Sequence, residues 1–507
     1  MKKTLLLLLA ACLLMTGCGI IDLSPVSTAQ SEPESKEQGS SDPQPAGTLI
    51  ERNFTLCIEP EDSLNPYRCT TRANLELGGL LYQSLVRLTP ELAPQKELAQ
   101  EISLDGTTCT VTLKEGQVFS DGSALTAADV VYSYNLAKSS SNYQTRFAGV
   151  RSAAVSGSGV VFTLTAPNPN FANLLDFPIL KSGTGEEGAA PVGSGLYVYQ
   201  AAENQLTVNP QLSGEAYPNI EPIYLTTVPD SDTLIHALDM GMVSMLVMEP
   251  SQAAGQRVSS VSEKYLTTNL VFAGINMNST AMKDVEIRKA VNAALSREEL
   301  AKKAFLGYAE PAVTPFYPAW SELHDETLPS AAADLTAALE HLGNAGYQRA
   351  QGATEGLVQK NRRPLSLKVI VNSDNETRVT LAQELVAQLQ KAGIDAALTE
   401  LTYDEYAAAI QKGSYDLYIG EIRLTADMNL EKVLPAGEAA NAYSQYRSGE
   451  INLGGFLSAF SQEQPMLPLC YRQGAVAYSR DLKGVIAPSF SDPYRGAKDW
   501  TFGGDSE

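Results

Sequence analysis

The residues that most often carry chemistry are sparse and scattered in this chain. Three histidines, His236, His324 and His341, stand far apart in 507 residues and form no ligand cluster. Neither HExxH nor CxxC occurs, and there is no Walker A sequence. Gly193-Ser194-Gly195 lacks the outer glycines of a nucleophile elbow at the required spacing. Gly183-Thr-Gly185-Glu-Glu-Gly188 satisfies GxGxxG, but it follows no clear strand and opens no helix. Its two glutamates would repel a phosphate, so it reads as a surface loop. Of six cysteines, Cys57, Cys69, Cys109 and Cys470 lie in the body without metal-ligand spacing. A Cys57–Cys69 disulfide and free thiols both remain open. Acidic residues number 58 against 37 basic, a formal net charge of −21. So negative a surface argues against nucleic acid or anionic lipid as ligand. These residues predict no enzyme, no cofactor and no metal site; a carboxylate-pair hydrolase is the enzyme reading that motif absence leaves open.

The N-terminus carries a different kind of chemistry. Lys2 and Lys3 precede an apolar run from Leu5 to Leu14, well short of the ~20 residues a spanning helix needs. Residues 1–17 therefore read as a secretory signal. The run ends in Leu14-Met15-Thr16-Gly17-Cys18, which resembles the bacterial lipobox and implies acylation of Cys18. The competing reading is an ordinary secretory signal that contains a cysteine. Residues 18–47 are rich in Ser, Pro, Glu, Gln and Gly, too polar to offset their ordering entropy, and read as a flexible tether. No later segment is long and apolar enough to cross a bilayer. The body exceeds one hydrophobic core, so two or three domains are expected.

Stepping along the body, Cys109–Leu113 and Val160–Leu164 alternate as strands do. Between them come the turn signal Asp121-Gly122 and a capping box, Thr126 to Asp129. The helix it opens has Val130, Val131, Tyr134 and Ala137 on one face. A second helical region starts at Asp284, a third at Ser296-Arg-Glu-Glu299 with Gly307 as its stop. Leu367–Val371 is a short apolar strand, and Leu381, Leu385 and Leu389 mark a helix closed by Gly393. A strand from Ile394 to Leu401, a helix around Tyr406–Ile410 and a strand at Tyr415–Ile419 follow. Such alternation predicts an α/β protein with parallel strands.

Several of these segments together resemble one family, the extracytoplasmic solute-binding proteins of ABC importers for oligopeptides, dipeptides and nickel. Leu64-Asn-Pro66 followed by Leu81-Tyr82 and Leu85-Val86-Arg-Leu88 is similar to the family's N-terminal signature. The run from Leu113 through Asp121-Gly122 to Thr126-Ala-Ala-Asp129-Val130-Val131 is the strongest match. Pro191-Val-Gly193-Ser-Gly195-Leu-Tyr197 and Asp284-Val-Glu-Ile-Arg288 with Ser296-Arg297 follow in the family's order.

The resemblance, spanning about 54–502, implies a two-lobed periplasmic-binding-protein-like α/β fold with three discontinuous domains and a hinge. Residues 48–72, 181–268 and 472–507 would form the core of lobe 1. Residues 73–180 would be a domain inserted on it, and 269–471 would be lobe 2. It further implies a monomer, lipid-anchored at Cys18 on the extracytoplasmic face of the cell membrane. That monomer would bind short peptides and deliver them to a permease and its ATPase subunits, with no nucleic-acid partner. A nickel or other metal or haem complex is the alternative ligand, and a surface receptor or adhesin the alternative role.

For the site, the resemblance maps Asp427, within Arg423-Leu424-Thr425-Ala426-Asp427, onto the acid that captures a peptide's terminal amine. Leu424 stands where relatives carry tryptophan, and Thr425 lies beside it. A second reading makes Asp427 an N-cap before Met428-Asn-Leu-Glu431. Tyr82, Tyr197, Gly193 and Gly195 are further candidate contacts, with packing and turn geometry as their alternative roles. Only 37 residues separate Asp427 from Pro465, which implies a trimmed second lobe and a more open cleft.

Overall fold

The computed structural model describes residues 53–185, 190–228, 231–248 and 260–503. Cys18, the signal and tether, and Glu186–Gly188 of the GxGxxG loop lie outside the described residues.

The predicted capping box forms. The Asp129 carboxylate accepts from Thr126 N (2.9 Å) and Thr126 Oγ1 (2.7 Å), and it opens the helix Ala127–Ser139. That helix accompanies an antiparallel sheet in the order Ala99–Asp105, Thr108–Leu113, Gly159–Leu164, Val150–Ser156. A second sheet joins Thr55–Cys57, Ile223–Thr226, Gln205–Val208 and Tyr197–Gln200, with its first pair parallel.

The strand–helix alternation of the C-terminal half is realised by Ser366–Asn372, helix Glu376–Lys391, Asp395–Leu401, helix Tyr403–Lys412 and Leu417–Arg423. Ser366–Asn372 pairs in parallel with both other strands. Gly393, at φ 88°, closes the first helix as its spacing predicts. The sheet as a whole is mixed rather than parallel. The long strand Val261–Ile275 runs antiparallel to Leu417–Arg423 on one side and to the long strand Met466–Tyr478 on the other, and Met245–Met248 and Ala309–Pro311 pair with the latter. Where the long strands pair, the register slips between Leu266 and Leu270.

Helices Val285–Ala294, Arg297–Phe305, Leu335–Asn344 and Glu376–Lys391 pack on this sheet through Val291, Leu300, Leu342 and Leu385, all fully buried with Val369 and Leu467. A second core runs from Leu77, Val111, Phe162 and Leu206 into Leu424, Met428, Tyr443 and Phe456. Apolar contact is thus continuous from the two smaller sheets to the segment after Leu417–Arg423. The 37 residues before Pro465 are not bare: they hold helices Glu438–Ser448 and Leu453–Glu463. Cys57, Cys69, Cys109 and Cys470 are free thiols, and burial pushes Cys69 and Cys109 up to about 12. Among the described residues, no helix is long and apolar enough to cross a membrane.

Candidate functional site

Strand Leu417–Arg423 feeds a stretch, 424–434, that adopts neither helix nor strand. Asp427 therefore caps no helix. Leu424 is buried and its N–H donates to Thr268 O (3.0 Å). Met428 takes a positive φ of 53° and is fully buried, which folds the loop back under itself. Helix Glu438–Ser448 places Tyr443, Tyr446 and Arg447 at i, i+3 and i+4, hence on one face. The Tyr443 hydroxyl straps the loop to this helix, donating to Met428 O (3.0 Å) and accepting from Leu430 N (3.0 Å).

Facing this loop is the segment after strand Gly159–Leu164, which carries three asparagines. Asn168 Nδ2 donates to Asp427 Oδ2 (2.8 Å), and Asn170 Nδ2 donates to the Tyr446 hydroxyl (3.2 Å). Asn173 Nδ2 donates to Leu92 O (2.9 Å) and Ala426 O (3.2 Å). The Asp427 side chain is only 3% exposed. Its other oxygen accepts from Thr425 Oγ1 (2.5 Å), and Arg447 Nη1 lies 3.6 Å from Oδ2. Both carboxylate oxygens are thus occupied, and the charge is balanced by a neighbouring guanidinium, as a buried carboxylate requires. Burial opposes the charge on Arg447, but Tyr443 and Asp427 outweigh it and raise its pKa.

A cavity of about 230 Å³ opens between the two sides. Ala166 and Pro167 form one wall; Leu434, Tyr443, Ser444 and Arg447 form much of the other. Arg447 Nε is buried there without a hydrogen-bond partner. A second cavity, about 250 Å³, touches Ser194, Gly195, Arg87 and Lys498. Its cations are already spent: Arg87 on Glu97 and Asp492 (2.7 Å each), Lys498 on Glu215 O (3.0 Å) and Asp499 (3.2 Å). A third, of about 40 Å³, lies among Tyr82, Asp176 and Asp492, and has room for little more than water. Asp176 there is buried and paired with Arg146; burial raises its pKa against the pull of that arginine.

The residues singled out from sequence fall into separate places. Leu424, Thr425 and Asp427 sit together at the asparagine segment. Tyr82 donates to Leu64 O (3.0 Å) and Tyr197 to Ile220 O (2.8 Å), both buried on main-chain partners. Gly193 and Gly195 press on the end of helix Arg72–Leu81: a Cβ would come within 2.2 Å of Leu81 O at Gly193 and 2.4 Å of Leu80 O at Gly195. Sequence reasoning missed Asn168, Asn170, Asn173, Tyr443, Tyr446 and Arg447. The spacing Asn168-Pro-Asn170-Phe-Ala-Asn173, next to Pro167, was the available signal. His341 Nδ1 lies 2.8 Å from Glu286, apart from this region, and no group of three or more metal-ligating side chains gathers among the described residues.

Residues 87–429 match the model of bacterial extracellular solute-binding proteins, family 5 middle. The oligopeptide-binding protein AppA of Bacillus subtilis is 24% identical over 420 residues, covering 78% of this chain and 76% of that protein. The glutathione-binding protein GsiB of Salmonella typhi is 26% identical over 370 residues, 69% of each. The solved structure of a nickel ABC transporter protein from Bacillus halodurans superposes with a TM-score of 0.69 at 18% identity, covering 85% of this chain and 96% of that one. This last likeness concerns the fold.

Proposed function

Since this chain belongs to the bacterial extracellular solute-binding proteins of family 5, we propose that it captures short peptides between two lobes and hands them to an ABC permease, binding its solute rather than transforming it. The observation that carries this reading is the junction at Asp427. There, polar side chains of the 166–174 segment meet a loop and helix of the larger sheet across a cavity, which is where a solute would bias a two-lobed molecule. We assign lobe 1 to 48–72, 181–268 and 472–507, the inserted domain to 73–180, and lobe 2 to 269–471. The register slip between Leu266 and Leu270 supports this division, because an irregular point in two long shared strands is where they can bend. Thr267 Oγ1 donates to Arg472 O (2.8 Å) across the same point.

Within the site, Asp427 is assigned to the peptide's free amine. An ammonium reaching it would replace the Asn168 amide and gain a charge-assisted bond. Tyr82, Tyr197, Gly193 and Gly195 lie apart from it, on main-chain partners and against the end of helix Arg72–Leu81, and serve packing there. Acylation at Cys18 would keep this monomer at the outer face of the membrane, near its permease.

Mass spectrometry of solutes that co-purify with the chain from its source cells tests the reading. Short peptides are expected, with affinity confirmed by calorimetry. A metal chelate or sugar recovered alone, with no measurable peptide affinity, would sink it.

A further inference from the structure

Helix Glu438–Ser448 supplies Ala440, Tyr443, Ser444, Arg447 and Ser448 to one wall of the cavity of about 230 Å³. The first N–H groups of a helix need acceptors from outside it, and Gly437, at the capping position, has no side chain to offer. The acceptor comes from another element. Ala439 N donates to Glu463 Oε2 (2.6 Å), and Glu463 ends the neighbouring helix, Leu453–Glu463. A carboxylate there also meets the positive end of the helix dipole. Gly437 is extended (φ 168°), so its backbone does not call for glycine, but the space does. A Cβ at Gly437 would stand 2.1 Å from Glu463 Oε1. Glu463 is held in turn by its carbonyl, which accepts from Arg288 Nε (2.9 Å) and Nη2 (2.7 Å). Nη1 of the same guanidinium donates to Met282 O (2.6 Å) and Lys283 O (3.2 Å), just ahead of helix Val285–Ala294. Arg288 is buried, and hydrogen bonds shielded from water in this way are strong.

We infer that Glu463 is a positioning residue for solute binding. It holds the start of helix Glu438–Ser448, and so sets the cavity wall, and through Tyr443 the loop 424–434, in the geometry that receives the solute. The inference rests on the solute-capture reading above. Glu463 does not line the cavity and acts only through the helix. Tyr443 ties the middle of that helix to Met428 O and Leu430 N, and its ring packs on Phe456 with centroids 5.3 Å apart. The Glu463 bond ties the beginning. Two attachments fix the direction of a helix axis, whereas one leaves it free to pivot. A pivot about Tyr443 would displace Ser444 and Arg447 from the wall and loosen the loop that Tyr443 straps. Arg288 completes the connection, because it joins Glu463 to the end of the segment before helix Val285–Ala294, whose Val291 is fully buried in the core on the large sheet. The wall is thereby fixed before the solute arrives, which lowers the ordering cost of binding.

The test combines hydrogen exchange of the full chain, read by mass spectrometry, with calorimetry of a defined pool of short peptides on the folded protein. Glu463→Ala is expected to speed exchange in 438–448 and also in 424–434, where the Leu430 N–H is bonded to the Tyr443 hydroxyl (3.0 Å). It should weaken peptide binding by about three- to tenfold, as the fraction of molecules with the wall in place falls. Glu463→Gln keeps an oxygen for Ala439 N and should return the affinity to within about twofold of the parent chain. Gly437→Ala leaves Glu463 and Arg288 intact but drives the carboxylate from its seat, so it should reproduce Glu463→Ala and add little to it in the double variant. It also supplies the comparison if Glu463→Ala does not fold. Faster exchange confined to 438–441, with affinity unchanged in the folded chain, would make Glu463 a helix cap only and overturn the inference. Losses of affinity that simply add in the double variant would overturn it as well. If the parent chain binds no peptide of the pool, the capture reading falls, and exchange in 424–434 still decides whether Glu463 positions this wall.

Discussion

At the scale of single residues, charge placement decides which groups matter. Asp129 illustrates this. Burial by itself would raise its pKa, but the Ser182 N–H and the Thr126 hydroxyl and N–H bond its carboxylate and hold it below the ordinary value. A depressed carboxylate binds its proton more readily in the unfolded chain. Its stabilisation is therefore complete above the unfolded value of ~3.9 and lost as pH falls through the lower folded value. Asp129→Asn should cost on the order of 1–2 kcal/mol near neutrality. Urea titrations should show that difference shrinking below pH ~4. A difference that stays constant down to pH ~3 would mean the ionised form is not what the cap uses. The same box was visible in the bare sequence because Thr126 and Asp129 are three apart. Asp427 and Asn168 are 259 positions apart, and no local pattern connects them. The sequence marked Asp427 through a family resemblance and could not show that Asn168, Thr425 and Arg447 already occupy it.

Among elements, legibility followed the range of the interaction that creates them. The helix starts at Asp284 and Ser296 were readable, since each side chain caps an N–H two or three residues on: Asp284 accepts from Glu286 N (3.0 Å), Ser296 from Glu299 N (3.3 Å). The strand–helix series from Ser366 to Arg423 was readable from its period. The long strand Val261–Ile275 was not. Its first four residues, Val261 to Lys264, are exposed and its later part is largely buried, so no single period marks it. Its place in the sheet is set by Met466–Tyr478, some two hundred residues away. Gly193 and Gly195 read as a turn in the sequence, whereas their place in the fold is to admit the carbonyls that end helix Arg72–Leu81. Gly195 N donates to Leu81 O (3.0 Å), and a Cβ at Gly195 would meet that oxygen at 2.7 Å. Gly195→Ala is expected to destabilise by about 1–3 kcal/mol as the helix end is forced away. Thermal melting should register the loss, while peptide affinity of the folded fraction stays unchanged. A melting temperature equal to that of the parent chain would show that the helix end yields freely.

For the whole molecule, the question is what holds the two lobes together before a solute arrives. Asn168 and Asn173 reach from the segment after strand Gly159–Leu164 to Asp427 and Ala426 of the facing loop, and Asn170 reaches Tyr446. Each neutral bond contributes roughly 1 kcal/mol net, and the one to Asp427 more because its acceptor is charged. Together they hold the two sides of this cavity against each other by a small margin, which suits a binder that must admit and release its solute. A ligand moves such an equilibrium only by its differential affinity for the two forms. The double variant Asn168→Ala/Asn173→Ala removes two of these bonds while leaving Asp427 its bonds to Thr425 and Arg447. It should shift the balance toward the open form by roughly ten- to a hundredfold. Small-angle X-ray scattering of the ligand-free variant should then give a larger radius of gyration than the parent chain. Added peptide should restore the compact value, at an affinity reduced by the fraction of closed molecules lost. An unchanged radius together with unchanged affinity would mean that the apolar contacts around Leu424, Met428 and Phe456 close the lobes without the asparagines. In that case hydrophobic burial alone holds the two sides together, and Phe456→Ala becomes the variant that opens the molecule.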